Sequence, residues 1–271
     1  MTGVQTCALP ICWLLVRVPR DDWKPQGWTP QPPAADSIVT GGQVSATNAI
    51  KTRQFWLLWI VLCFNVTAGI GILEKASPIY QDFFPAPAAA AAALTAAAAG
   101  YVAMLSLANM LGRIGWSSLS DKIGRKNIYR MYLGVGALLY LTITLMQDSN
   151  KILFIVCTLL ILSFYGAGFA TVPAYLRDLF GTYQVGAIHG RLLTAWSVAG
   201  ILGPIMVNAI ADSQQAAGRD GPALYTMSFS IMIGLLLVGL VCNELIKPVN
   251  AKWHEPEATT TSADELQEAN R

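Results

Sequence analysis

Residues 152–175 read ILFIVCTLLILSFYGAGFATVPAY, 24 positions without one charged side chain, and this stretch decides which solvent the chain folds in. A hydrocarbon layer about 30 Å thick is crossed by about 20 residues of α-helix, and lipid offers no partners to an open backbone. A run of this length is therefore expected to be a membrane-spanning helix. Five further uncharged runs lie on either side of it, at 55–73, 90–111, 131–146, 192–210 and 223–242. The run at 131–146 is short and borrows Ile128–Arg130, with the arginine reaching back to the interface.

The whole composition agrees. Of 271 residues, 54% are hydrophobic and 13% charged, about half the charge of a soluble domain. The net charge of +2 leaves no basic face for nucleic acid, so no nucleic-acid partner is expected. Five cysteines, at 7, 12, 63, 157 and 242, form no CxxC pair and read as small buried residues. His189 and His254 are the only histidines, and no cluster of carboxylate, His or Cys falls within the spans. An enzyme, a metal and a cofactor are accordingly not expected.

Lysine and arginine fix an orientation. With six spans, the segments on the side of the termini hold 15 of these residues and the opposite loops hold three, Lys75, Lys151 and Arg219. The positive-inside rule then places both termini in the cytoplasm, with the chain multi-pass in the cell inner (plasma) membrane. The 90–111 run is unusual for its alanines, 88–93 and 96–99, which suit close packing of an interior helix. The alternative is a low-complexity alanine tract that merely spans.

Outside the spans, residues 20–54 read as a cytoplasmic connector in which Pro25, Pro30, Pro32, Pro33, Gly41 and Gly42 prevent regular structure. Residues 246–271 read as a polar, disordered cytoplasmic tail, leaving 55–245 as the six-helix domain. Residues 1–19 combine the stump of a preceding helix, 8–18, with an opening string, TGVQTCALPI at 2–11, that looks like translated sequencing adapter. On that reading the protein is truncated at its beginning.

Between the second and third spans lies GWSSLSDKIGRK, residues 115–126, expected to form a tight basic turn. Its residues Gly115, Asp121, Gly124, Arg125 and Lys126 resemble the loop signature of the major facilitator superfamily, G-x5-D-x2-G-R-K/R. Further phrases resemble the oxalate/formate antiporter family within it. They are WKPQGWTP at 23–30, FNVTAG at 64–69, the stretch from Gly166 through FATVP at 169–173 to Gly181, GAIHGRLLTAWSVAG at 186–200, and Gly203-Pro204. The resemblance implies an all-α membrane protein, six transmembrane helices forming the C-terminal half of a twelve-helix fold. It also implies partners: a small organic anion, the lipid bilayer and an N-terminal six-helix half absent from this chain.

Candidate site residues follow from that resemblance together with helical spacing. Asn109 and Arg113, four apart on the second span, present an amide and a guanidinium fork suited to a carboxylate; the competing reading is an arginine snorkelling to the headgroups. Tyr165 and Phe169, also four apart, are expected as aromatic walls of the substrate chamber, with core packing as the alternative. Asn65 and Asn208 could hydrogen-bond substrate or another helix. His189 reads as a bystander at the start of the fifth span, and Gly203-Pro204 as a loosened or kinked turn.

The resemblance also implies a departure. Where the oxalate carriers it resembles pair their arginine with a lysine, this chain has Trp196, and no Lys or Arg occurs between Leu192 and Ile210. Two fixed cations suit a dianion and one suits a monoanion, so a monocarboxylate such as lactate, formate or pyruvate is expected over oxalate. A drug-efflux carrier of the same fold and a non-transporting membrane receptor remain as alternatives.

Overall fold

The computed structural model describes residues 38–146 and 149–256; the expectations for 1–37, including the stump and the adapter-like string, and for most of the acidic tail lie outside them. Among the described residues the regular structure is entirely helical, in nine α-helices and three short 3-10 turns. The α-helices are α1 (Ala46–Ala49), α2 (Arg53–Glu74), α3 (Ala76–Phe83), α4 (Ala91–Ile123), α5 (Arg125–Met146), α6 (Lys151–Phe180), α7 (Val185–Leu192), α8 (Thr194–Ala216) and α9 (Thr226–Glu244). Six stretches are long and apolar enough to cross a membrane, Arg53–Glu74, Ala88–Ile123, Arg125–Met146, Lys151–Phe180, Val185–Ala216 and Thr226–Glu244. Each contains or overlaps one of the six expected spans.

Helix α6 holds the bundle together, packing against α4, α5 and α2, while α9 fills the space between α5 and α2. Burial of polar groups in so apolar an interior needs partners. Three tyrosines of α5 find them on the main chain or side chains of neighbours. Tyr129 Oη donates to the Gly168 carbonyl at 2.5 Å, Tyr140 Oη to the Ala68 carbonyl, and Tyr132 Oη lies 3.4 Å from Thr171 Oγ1. Cys63, Cys157 and Cys242 are buried free thiols, as their placement in apolar runs suggests.

The 115–126 segment corrects one expectation. It is not a tight turn, because α4 continues as helix through Ile123 and only Gly124, at φ +87°, breaks the chain before α5. Loss of apolar character after Leu111 does not end a helix whose backbone bonds are intact; at about 1.5 Å per residue α4 is about 50 Å long, longer than the hydrocarbon requires. Gly115 is thus an exposed mid-helix residue with open space beside it.

The alanine-rich start of α4 is little buried within this chain. The spans containing α4 and α8 bury the smallest shares of their most apolar windows, 17% and 22%, against 61% for those of α2 and α6. Of the alanine tract only Ala98 is buried, and the other buried positions of α4 are Tyr101, Leu105, Gly112 and Ser120.

The end of the bundle that carries Gly124 is closed by the connector and the tail. Thr40 and Val44 amides donate to the Asp178 and Phe180 carbonyls at 2.8 and 2.9 Å. Gln43 Oε1 accepts from the Thr182 and Tyr183 amides, both at 2.9 Å. Residues 246–256 are packed, which corrects the reading of a disordered tail for this part of it. The Glu255 amide donates to the Gln43 carbonyl at 2.7 Å, Thr40 Oγ1 lies 3.1 Å from His254 Nε2, and Ile246 and Val249 are buried. Gly181 at φ +79° is needed there, since a Cβ would meet Gln43 Oε1 at 2.5 Å and the Gly42 carbonyl at 2.7 Å.

At the opposite end, Tyr80, Phe83, Phe84, Tyr101, Phe154, Tyr225 and Phe229 form an aromatic cluster, with Lys151 Nζ 4.8 Å from the centre of the Tyr80 ring. Tyr225 Oη donates to Asp82 Oδ2 at 2.6 Å, tying α3 to the start of α9. A hydrogen bond to a charged group contributes about 1.5–3 kcal/mol. Tyr225→Phe is expected to lower stability by that amount in a detergent thermal-unfolding measurement; an unchanged midpoint would show that the bond is replaced by solvent.

Candidate functional site

The site is built by reciprocal glycines. A Cβ on Gly112 of α4 would stand 2.2 Å from the Ser163 carbonyl oxygen of α6, and one on Gly166 of α6 would stand 2.3 Å from the Asn109 carbonyl oxygen of α4. Two helices approach to backbone contact only where both lack side chains, so these glycines set the crossing of α4 and α6. One residue on from Gly112 stands Arg113, and three on from Gly166 stands Phe169. The close crossing brings them together.

Arg113 Nε donates to Asn109 Oδ1 at 3.2 Å, and its guanidinium carbon lies 5.5 Å from the centre of the Phe169 ring. Asn109 lies one turn further from the Gly124 end of α4, so the side chain leans away from that end, opposite to a snorkelling arginine. Phe169 is six residues inside the uncharged run of α6, about 9 Å of helix. Among the described residues no carboxylate lies within ion-pair distance of Arg113, and its side chain is exposed. A cation held by an amide and an aromatic face, with its fork unspent, can accept a carboxylate bidentately.

Trp196 completes the aromatic side. Its ring meets that of Phe169 edge to face at 4.4 Å. The fifth span is interrupted here: α7 ends at Leu192 and α8 starts at Thr194, with the Trp196 amide turning back to the Leu193 carbonyl at 3.0 Å. Helix α8 runs on through Pro204, whose missing N–H leaves the Gly200 carbonyl without its usual partner. Pro173 of α6, likewise inside its helix, cannot donate to the Phe169 carbonyl four residues back.

The other named residues lie apart from this group. Tyr165 is buried with its ring against Gly69 of α2, where a Cβ would stand 2.4 Å away, so it serves the α2–α6 crossing while staying within electrostatic reach of Arg113. Asn65 is buried against Gly168, and its Nδ2 has no hydrogen-bond partner among the described residues. Asn208 is half-buried on α8.

The signature residues form a charged network at the connector end. Arg125 pairs with Asp121 one turn away and stands 3.6 Å from Asp178 Oδ2 of α6. Lys126 Nζ donates to the Glu244 and Ile246 carbonyls at 2.8 and 3.0 Å, capping α9 with a cation as the helix dipole favours. Arg130, expected to reach back to the interface, pairs with Glu244 at the end of α9 through Nε at 2.5 Å and Nη2 at 2.6 Å.

One residue set aside in the sequence belongs to the group. His189 lies with its ring centre 6.3 Å from that of Phe169, and its Nε2 is buried without a hydrogen-bond partner. Its spacing of seven from Trp196, two helical turns, was the available signal. Among the described residues no group of three His, Cys, Asp or Glu could hold a metal ion.

The chain is similar to known proteins. The chain matches the Major Facilitator Superfamily over residues 2–204 and again over 106–265. It is 28% identical over 174 residues to an oxalate:formate antiporter of Oxalobacter formigenes, which is 64% of this chain and 40% of that protein. It is 32% identical over 152 residues to the MFS transporter asaE of Aspergillus flavus, 56% of this chain and 32% of that protein. The matched part of the chain therefore spans less than half the length of either curated relative. Six apolar helices, the charged signature network and a match that extends over most of its residues lead to one conclusion: this chain belongs to the Major Facilitator Superfamily, a family of membrane transporters.

Proposed function

We propose that this chain supplies the C-terminal half of a carrier for small organic anions, favouring a monocarboxylate such as lactate, formate or pyruvate over oxalate. The observation that carries the reading is Arg113, unpaired by any described carboxylate and held over Phe169 by Asn109. Helix α8 adds Trp196 beside it and no second fixed cation. A single positive charge matches one carboxylate; a dianion would bring a second charge into an apolar interior without a partner, at a cost of several kcal/mol, about 3 or more. The name of one relative, an oxalate:formate antiporter, contains one anion of each kind.

On this reading the substrate lies between this six-helix half and an N-terminal one, and the two rock about it by alternating access. The connector, the charged network and the tail face the cytoplasm, and the protein sits in the inner (plasma) membrane, as the 15-to-3 distribution of basic residues supports. Counterflow with the complete protein in proteoliposomes tests the proposal. Preloaded lactate or formate is expected to drive uptake of the labelled monoanion. Exchange of labelled oxalate with lactate and formate inert would refute the monoanion assignment, and ligand binding without flux would refute transport.

A further inference from the structure

The Phe169 ring has three polar or aromatic neighbours, and one of them is chemically unspent. Arg113 lies over it, Trp196 meets its edge, and His189 lies 6.3 Å away with a buried, partnerless Nε2. A buried polar nitrogen with no partner costs free energy, about 1–3 kcal/mol, unless something other than the protein satisfies it. An imidazole can change its charge near neutral pH, and His189 lies on the same Phe169 ring as Arg113.

We propose that His189 is the second, conditional anchor of the anion site: it takes up a proton from solvent as the anion arrives, and its Nε2–H donates to a carboxylate oxygen at a lone pair that the Arg113 fork leaves free. This rests on the anion-site reading above and deepens it, because it makes anion and proton binding mutually reinforcing. Neutral His189 leaves Arg113 as the single cation for a monoanion. Once the carboxylate is seated, a second positive charge on the ring is stabilised by it, and the proton departs to solvent as the anion leaves.

The charges around His189 do not supply another partner. Helix α7 packs against α6, α1 and α8. The basic-end charges of α6 are Arg177, which is exposed, and Asp178, which is taken up by Arg125 at 3.6 Å. Helix α1 has no titratable residue, α8 has none before Asp212, and Arg191 on α7 itself is exposed. None of the described ion pairs joins any of these to the imidazole. Arg113, on the same Phe169 ring, is the charge the anion would share with it.

The test uses the complete protein in nanodiscs, where the imidazole signal that His189→Gln removes from the ¹⁵N-histidine spectrum is that of His189. Sodium formate is the probe, with sodium chloride at equal ionic strength as reference. Saturating formate is expected to raise the titration midpoint of His189 by about one pH unit, as an opposite charge within a few ångström does. By reciprocity, formate should bind about tenfold more tightly below both midpoints than above them. His189→Gln should still bind formate but lose that pH dependence.

The outcomes separate cleanly. If formate moves the Trp196 indole signal and leaves the His189 midpoint unchanged, the histidine assignment is overturned while the anion site stands. If formate moves neither, the site reading falls and this inference with it. A His189→Gln chain that keeps the tenfold pH dependence also overturns it, and should that variant not fold, the wild-type titration decides alone.

Discussion

Arg113→Gln is expected to lower monocarboxylate counterflow by about a hundredfold while leaving the thermal stability of the protein nearly unchanged. Truncating one member of a desolvated, hydrogen-bonded charge pair costs about 2–5 kcal/mol, and each 1.4 kcal/mol is tenfold in binding. Here the partner is the substrate, so the loss is read in transport. The folded protein loses only the 3.2 Å bond to Asn109 and the contact with Phe169. Together these contribute about 1–2 kcal/mol at most for an exposed side chain. Arg113→Lys keeps the charge without the planar fork and should fall between, about tenfold down. Initial counterflow rates with melting curves in the same detergent check both halves. A glutamine variant that keeps more than half the wild-type rate would remove Arg113 from the site and reopen the reading of a drug-efflux carrier.

The second large effect is structural and comes from the smallest side chains. Gly112→Ala and Gly166→Ala each force a methyl group to within 2.2 and 2.3 Å of a carbonyl oxygen on the facing helix. A backbone oxygen cannot turn aside as a flexible side chain can, so α4 and α6 must separate. Overpacking of this kind costs about 1–3 kcal/mol. Because Asn109 and Arg113 ride on α4 and Phe169 on α6, the same separation displaces the guanidinium from its ring, and transport should fall with stability. Gly100→Ala is the control: it lies on the exposed part of α4 with nothing within 4 Å, and alanine there gains up to about 1 kcal/mol of helix propensity. Melting curves for the three variants decide it. If Gly112→Ala and Gly166→Ala melt like Gly100→Ala, the helix crossing is looser than described and the placement of Arg113 loses its foundation.

The charged network at the connector end was partly legible. Asp121, Arg125 and Lys126 are picked out by their spacing. Their partners Asp178 and Glu244 are not, since they come from α6 and α9, more than fifty residues away in sequence. The same limit hid the role of the tail. Polar composition argued for disorder from Lys247 onward, yet Ile246, Val249 and Trp253 supply enough apolar surface to pack, and the Gln43 carbonyl offers Glu255 a backbone partner.

At the site, spacing along one helix identified pairs correctly and assigned them unevenly. Asn109 and Arg113 do share a face and a hydrogen bond. Tyr165 and Phe169 also share a spacing of four, yet they divide their labour: Tyr165 fills the notch at Gly69, and Phe169 faces Arg113 and Trp196. Residues four apart differ by about 40° around a helix, enough at a junction of three helices to send neighbours to different partners. His189 was passed over because a residue near the start of a span looks like a loop residue until the facing helix is in view.

Six apolar helices long enough to cross a membrane were determined by the sequence alone, because hydrocarbon thickness and the cost of burying charge act on each segment independently of its neighbours. Which helix faces are buried, that α4 runs on as helix past Arg113, and that Arg113, Phe169, Trp196 and His189 meet were decided only by the tertiary structure. Those facts depend on where glycines let backbones touch, and such contact is a property of two helices at once, which no single segment encodes.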